Sequence, residues 1–122
     1  MQPLNIVLLQ GDPGMVESLV ASLHKSFRTV RQAPCLSDLR SYLAEHPGGI
    51  AIMDMEIVTT FDVAHLSHDF PEARIVCNHR LADEEMWTAA LSAGAVDFCT
   101  SQDTPGILRA ALQDQAAARM AA

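Results

Sequence analysis

Ile50-Ala51-Ile52-Met53-Asp54 decides how this chain is read: four apolar residues without a polar interruption, closed by a carboxylate. A run this short and this apolar is the signature of a strand covered by helices on both faces. His46-Pro47-Gly48-Gly49 stands immediately before it and stops any preceding helix. Upstream, Ser37 is placed to cap a helix in which Leu39 and Leu43, with Leu36, face inward. Arg28 to Gln32 forms a short strand ahead of that helix.

At the N-terminal end, Asn5-Ile6-Val7-Leu8-Leu9-Gln10 is a β-rich run ended by Gly11. Asp12 then serves as N-cap with Pro13 at the first helical position. Val16, Leu19, Val20 and Leu23 follow at i, i+3, i+4 and i+7, one apolar stripe on one helix face. Downstream, a helix lies between Phe61 and His68, Pro71 breaks the chain, and Arg74-Ile75-Val76-Cys77 makes a fourth strand. Asp83-Glu84-Glu85 opens a helix that runs to Gly94, acids in a first turn being favoured by the macrodipole. Ala95 to Thr100 forms a fifth strand, and Thr104-Pro105 repeats the cap-then-proline signal for a last helix over 105–117. Residues 115–122, rich in alanine, extend that helix or begin a linker.

Strands alternating with helices imply right-handed crossovers, and hence an α/β, doubly wound, five-stranded parallel sheet flanked by five helices. Ligands of such sheets bind beyond the carboxyl ends of the strands. Asp12, Asp54, Asn78 and Ser101 all fall on that edge.

The bulk composition agrees with a single domain over 1–122. Apolar residues make up 49% of the chain and charged residues 19%, a globular balance. A net charge of −7 argues against a nucleic-acid surface, which needs a basic face to displace counterions. No apolar run approaches the roughly eighteen residues of a membrane span, and no cleavable signal is present, so a cytoplasmic protein is expected. Cys35, Cys77 and Cys99 lack metal-ligand spacing and read as reduced thiols. His65 and His68 lie at i, i+3, yet no cysteine or acid completes a zinc set, so they read as surface histidines. His79, beside Asn78, reads as a partly exposed loop residue. There is no glycine-rich nucleotide loop and no Ser-His-Asp order of a hydrolase.

From about residue 4 to 116 the chain resembles the receiver domain of two-component response regulators, of the chemotaxis-receiver type. The residues that carry the likeness are Ile6 to Pro13, His46-Pro47 through Asp54, and Asp83-Glu84-Glu85 through Leu91-Ser92-Ala93-Gly94-Ala95-Val96-Asp97-Phe98. The resemblance implies a flavodoxin-like fold with strand order 2-1-3-4-5, and a binding and switching module rather than an enzyme. It sets Asp54 at the phosphoacceptor position and Phe98 at the switch aromatic. The family's acidic, Mg²⁺-holding pair is matched by Gln10 and Gly11, with Asp12 next in sequence. Its Ser or Thr after the fourth strand is matched by Asn78, and its lysine after the fifth by Ser101.

These departures have a physical consequence. Mg²⁺ demands octahedral oxygen ligands, usually on one or two carboxylates. Here Asp54, the Glu56 carbonyl and the neutral amide of Gln10, with Asp12 if it turns inward, would be left to hold it. Without the lysine, one cation that stabilises a transferring phosphoryl group is gone as well. The expectation is an atypical receiver, with no cofactor unless Mg²⁺ is held by a compensated pocket. It would act through protein partners, namely a sensor kinase, an output domain or a second copy of itself. Two alternatives stand beside it. One is a receiver phosphorylated on Asp54 in a phosphorelay, with Asp12 turned inward and Arg80 compensating for the lysine. The other is a sensor of a small molecule or anion in the vacated acidic pocket. Trp87, off the centre of the Met86, Ala90 and Ala93 stripe, marks a possible partner face.

Overall fold

The computed structural model describes residues 5–112, which form one five-stranded parallel sheet in the order β2-β1-β3-β4-β5. The strands are β1 (Asn5–Leu9), β2 (Thr29–Gln32), β3 (Ile50–Asp54), β4 (Arg74–His79) and β5 (Asp97–Thr100). The helices are α1 (Pro13–Leu23), α2 (Leu36–Glu45), α3 (Thr60–Asp69), α4 (Glu84–Ala93) and α5 (Thr104–Leu112). The part of the expected last helix beyond residue 112, and the 115–122 extension, lie outside the described residues. Among the described residues no helix is long and apolar enough to cross a membrane.

The strand alternation builds two cores. Ile6 and Leu8 of β1, Ile50 and Ile52 of β3 and Val76 of β4 pack under α1 and α5 with Leu19, Leu23, Ile107 and Ala111. Val7, Leu9, Ala51, Met53, Ile75 and Cys77 face the opposite way, under α2, α3 and α4, with Leu39, Leu43, Val63, Leu66 and Ala90. β3 is buried along its whole length, which explains why its sequence has no polar alternation. β2, at the sheet edge, is mostly exposed and correspondingly polar.

Apart from shifts of a single residue at the ends of β1, β2 and α3, four boundaries differ from the expectation. Ser37 does not cap α2; Cys35 is the N-cap and makes no side-chain cap bond, so Ser37 falls inside the helix while Asp38 supplies the first-turn acid. The last helix is capped by Asp103 rather than Thr104: the Gly106 N–H donates to Asp103 Oδ1 at 3.0 Å. β4 runs two residues further than expected, to His79, because Asn78 pairs in register with Asp54. β5 begins only at Asp97, since Ala95 and Val96 carry the turn out of α4. That turn needs a glycine. Gly94 has φ 116°, and a Cβ there would sit 2.2 Å from Ser67 Oγ, where α3 and α4 approach.

Candidate functional site

The register across the sheet assembles the carboxyl edge. Leu9 pairs with Met53 and Asp54 pairs with Asn78, so Gln10, Asp54 and Asn78 occupy one cross-strand row. Asp54 is 5% exposed and its two carboxylate oxygens are both held by backbone. Oδ2 accepts from the Gly11 N–H at 2.9 Å and Oδ1 from the Glu56 N–H at 2.9 Å. A Cβ at Gly11 would lie 3.3 Å from Asp54 Oδ2, so the missing side chain is what gives the carboxylate its close approach to the β1–α1 loop.

Beside this carboxylate the neutral side chains bond to one another. Asn78, fully buried, donates from Nδ2 to Gln10 Oε1 at 2.6 Å and accepts at Oδ1 from Gln10 Nε2 at 3.2 Å. The same Oδ1 accepts from the Ser101 hydroxyl at 2.8 Å, and Nδ2 also reaches the Met53 carbonyl at 3.3 Å. Ser101 is 2% exposed. Gln10, Asn78 and Ser101, three of the four positions where the sequence departs from the receiver pattern, thus form one hydrogen-bonded network across the ends of β1, β4 and β5. Each buried polar group in it has a partner.

Arg80 lies at the rim of this site. Its Nε donates to both Glu56 oxygens, at 2.9 and 3.0 Å, and its outer nitrogen lies 2.8 Å from Glu56 Oε1. The hydrogen bond to Arg80 holds the Glu56 carboxyl below its usual range, and the same contact raises the Arg80 guanidinium, with Asp12 and Asp54 adding at longer range. Arg80 and Asp54 line a cleft of about 290 Å³ together with Gly11, Asp12, Met15, Glu56, Ile57, Ser101 and Gln102. Three of its lining side chains are carboxylic and one is cationic.

Asp12 is an exposed N-cap whose Oδ1 accepts from the Gly14 N–H at 3.0 Å, so its carboxylate does not join Asp54. Among the described residues no group of three His, Cys, Asp or Glu side chains is placed to hold a metal ion. His65 and His68 are exposed, and the three cysteines are free. Phe98 is buried within the core under α4, at 8% exposure. Trp87 stands 45% exposed on α4 and does not line the cleft at Asp54.

No protein-family model and no curated protein matches the sequence. Solved structures do. The signal receiver domain of the Mycobacterium tuberculosis response regulator NarL superposes with a TM-score of 0.75 at 20% identity, covering 92% of this chain and 95% of that one. A Burkholderia pseudomallei response regulator carrying a phosphorylated aspartic acid and a calcium ion gives 0.75 at 21% identity, over 96% of this chain and 71% of its own. A CheY-like protein, tadZ, from Pseudomonas aeruginosa gives 0.70 at 24% identity, over 90% and 94%. The chain has the receiver fold. The expected strand order and the alternation of five strands with five helices hold in the described residues.

The sequence puts Asp12, Asp54, Asn78 and Ser101 on the carboxyl edge, but it does not reveal two sets of contacts there. The Glu56–Arg80 pair had a readable signal: both stand two residues past positions that face each other across β3 and β4. The Gln10–Asn78–Ser101 bonds depend on side-chain reach, which spacing along the chain does not encode.

Proposed function

We propose that this chain is a receiver-type signalling module that acts by docking protein partners, and that it does so without Mg²⁺-dependent phosphorylation of Asp54. The observation that carries the reading is the closed Gln10–Asn78–Ser101 network beside Asp54. In a phosphorylatable site the corresponding groups must be free to meet a metal ion and the phosphoryl oxygens. Here their donors and acceptors are spent on each other. The charge balance points the same way. A phosphoryl group adds negative charge to a cleft already lined by Asp12, Asp54 and Glu56, and its one guanidinium is engaged by Glu56.

The residues present do not fit a Mg²⁺ site. Asp12 is used as a helix cap, the Glu56 side chain as an anchor for Arg80, and Gln10 as a partner of Asn78. Asp54 alone would be left to offer a side-chain carboxylate, and its oxygens already accept backbone N–H groups. The same charges work against an anion-sensing role for the vacated pocket. Partner docking draws support from Trp87, an aromatic of the kind that anchors interfaces, exposed on α4.

Incubation with acetyl phosphate and Mg²⁺, followed by intact-mass measurement, tests this reading. The expected result is an unmodified chain at times when a control receiver is stoichiometrically phosphorylated. A phosphoryl adduct mapped to Asp54 would overturn the proposal and favour the phosphorelay reading, with Arg80 released from Glu56.

A further inference from the structure

A second cleft, of about 550 Å³, opens between the β3–α3 loop and α4, and nothing in the site at Asp54 uses it. Its apolar wall comes from Met55, Val58, Met86, Ala89 and Phe98. Its volume lies within the range of small-molecule pockets, roughly 300–1,000 Å³. Two of these wall residues are methionines, whose unbranched chains adapt to ligands of different outline.

The polar groups of the lining are uneven in charge. Asp83 and Glu85 contribute carboxylates, and no lysine or arginine lines the cleft. Asp83 uses Oδ1 to cap α4 through the Met86 N–H at 2.8 Å, while no hydrogen bond or ion pair engages the Glu85 side chain among the described residues. His79 accepts at Nδ1 from the Leu81 N–H at 2.9 Å. Arg80, the next residue, is engaged by Glu56. The cleft therefore pairs an apolar wall with a negative rim, on a chain of net charge −7.

We propose that this cleft binds a small amphipathic organic cation, an ammonium group on an alkyl or aryl body. The body lies against Met55, Met86 and Phe98, and the ammonium lies between Glu85 and Asp83. The proposal goes beyond the docking role and does not rest on it. The cleft also touches the region where a ligand would be felt: the Met55 N–H donates to the Asn78 carbonyl at 2.8 Å, and Phe98 belongs to both the cleft and the core.

The test is a titration of the full chain, labelled with ¹³C in the methionine methyl groups, with octylammonium and phenethylammonium ions, with 1-octanol, 2-phenylethanol, octanoate and 3-phenylpropanoate as controls. The expected result is saturable shifts of the Met55 and Met86 methyls with the ammonium ions, at lower concentration than with the alcohols and absent with the carboxylates. Glu85→Gln, a change at an exposed position, should weaken ammonium binding about two- to five-fold, as a solvent-screened charge contact would. It should leave the response to the alcohols unchanged. Ala89→Leu should reduce all binding by filling the cleft. Absence of saturable shifts, equal affinity for ammonium and alcohol, or an unaltered ammonium affinity in Glu85→Gln would each overturn the proposal.

Discussion

Replacing Asn78 by alanine tests whether the amide and hydroxyl network acts as a unit. Asn78 is fully buried and joins Gln10, Ser101 and the Met53 carbonyl. In Asn78→Ala, Gln10 is partly exposed and turns to water, so its loss is small. The Ser101 hydroxyl, 2% exposed, is left without its acceptor. An orphaned buried hydroxyl costs about 1–3 kcal/mol, and the bonds lost by Asn78 itself add about 1 kcal/mol. The substitution should therefore destabilise by about 2–4 kcal/mol. Ser101→Ala alone removes one hydrogen bond and leaves Asn78 Oδ1 still bonded to Gln10, a loss of about 1 kcal/mol. In the Asn78→Ala background the same Ser101→Ala change removes the orphan and should be neutral or stabilising. Urea unfolding of the four proteins, with equal m-values as the condition for comparison, gives the double-mutant cycle. Equal costs of Ser101→Ala in both backgrounds would refute the network.

Three further outcomes follow from particular contacts. The Glu56 carboxyl is held low by Arg80, so its contribution to stability is present above its unfolded pKa and is lost as pH falls through the lower folded value; in Arg80→Ala the Glu56 midpoint, read by carboxyl ¹³C NMR, should rise toward the ordinary carboxylate range, and an unmoved midpoint would count against the pair. Burial pushes the Cys77 thiol up to about 12 and, with Asp97 and Asp103 adding, the Cys99 thiol up to about 11. Near neutral pH a disulfide reagent should therefore label the exposed Cys35 quickly and the other two only on unfolding, as counted by absorbance. Gly94→Ala combines a left-handed backbone with a Cβ 2.2 Å from Ser67 Oγ and should cost about 2–4 kcal/mol in thermal or urea unfolding; Ser67→Gly should recover only the steric part, and a cost below about 1 kcal/mol in Gly94→Ala would contradict the turn geometry.

The fold was legible because its signals are periodic. The apolar run Ile50–Met53, the stripe ending at Leu19 and Leu23, and the Asp12-Pro13 start each report a local backbone state that tertiary packing then confirmed. Helix starts were legible only where a single residue dominated. Ser37 and Thr104 each look like a cap, but both lie next to another residue, Cys35 two positions earlier or Asp103 one position earlier, that the packed helix uses instead. The site was legible as a set of positions and illegible as a set of bonds. Gln10, Asn78 and Ser101 could be seen to lack charge; that Asn78 bonds to both of the others depends on strand register and rotamer. Arg80 shows the reverse case, a free-looking cation whose partner sits in the loop that follows the neighbouring strand β3.

Amides and hydroxyls neither gain nor lose a proton across the range a cell experiences, and they hold divalent ions poorly. The tie that Asn78 makes between Gln10 and Ser101 is for that reason indifferent to acidification and to swings in ionic composition. A shift in the relative position of the first, fourth and fifth strands is therefore not triggered by a change in the charge of this tie itself.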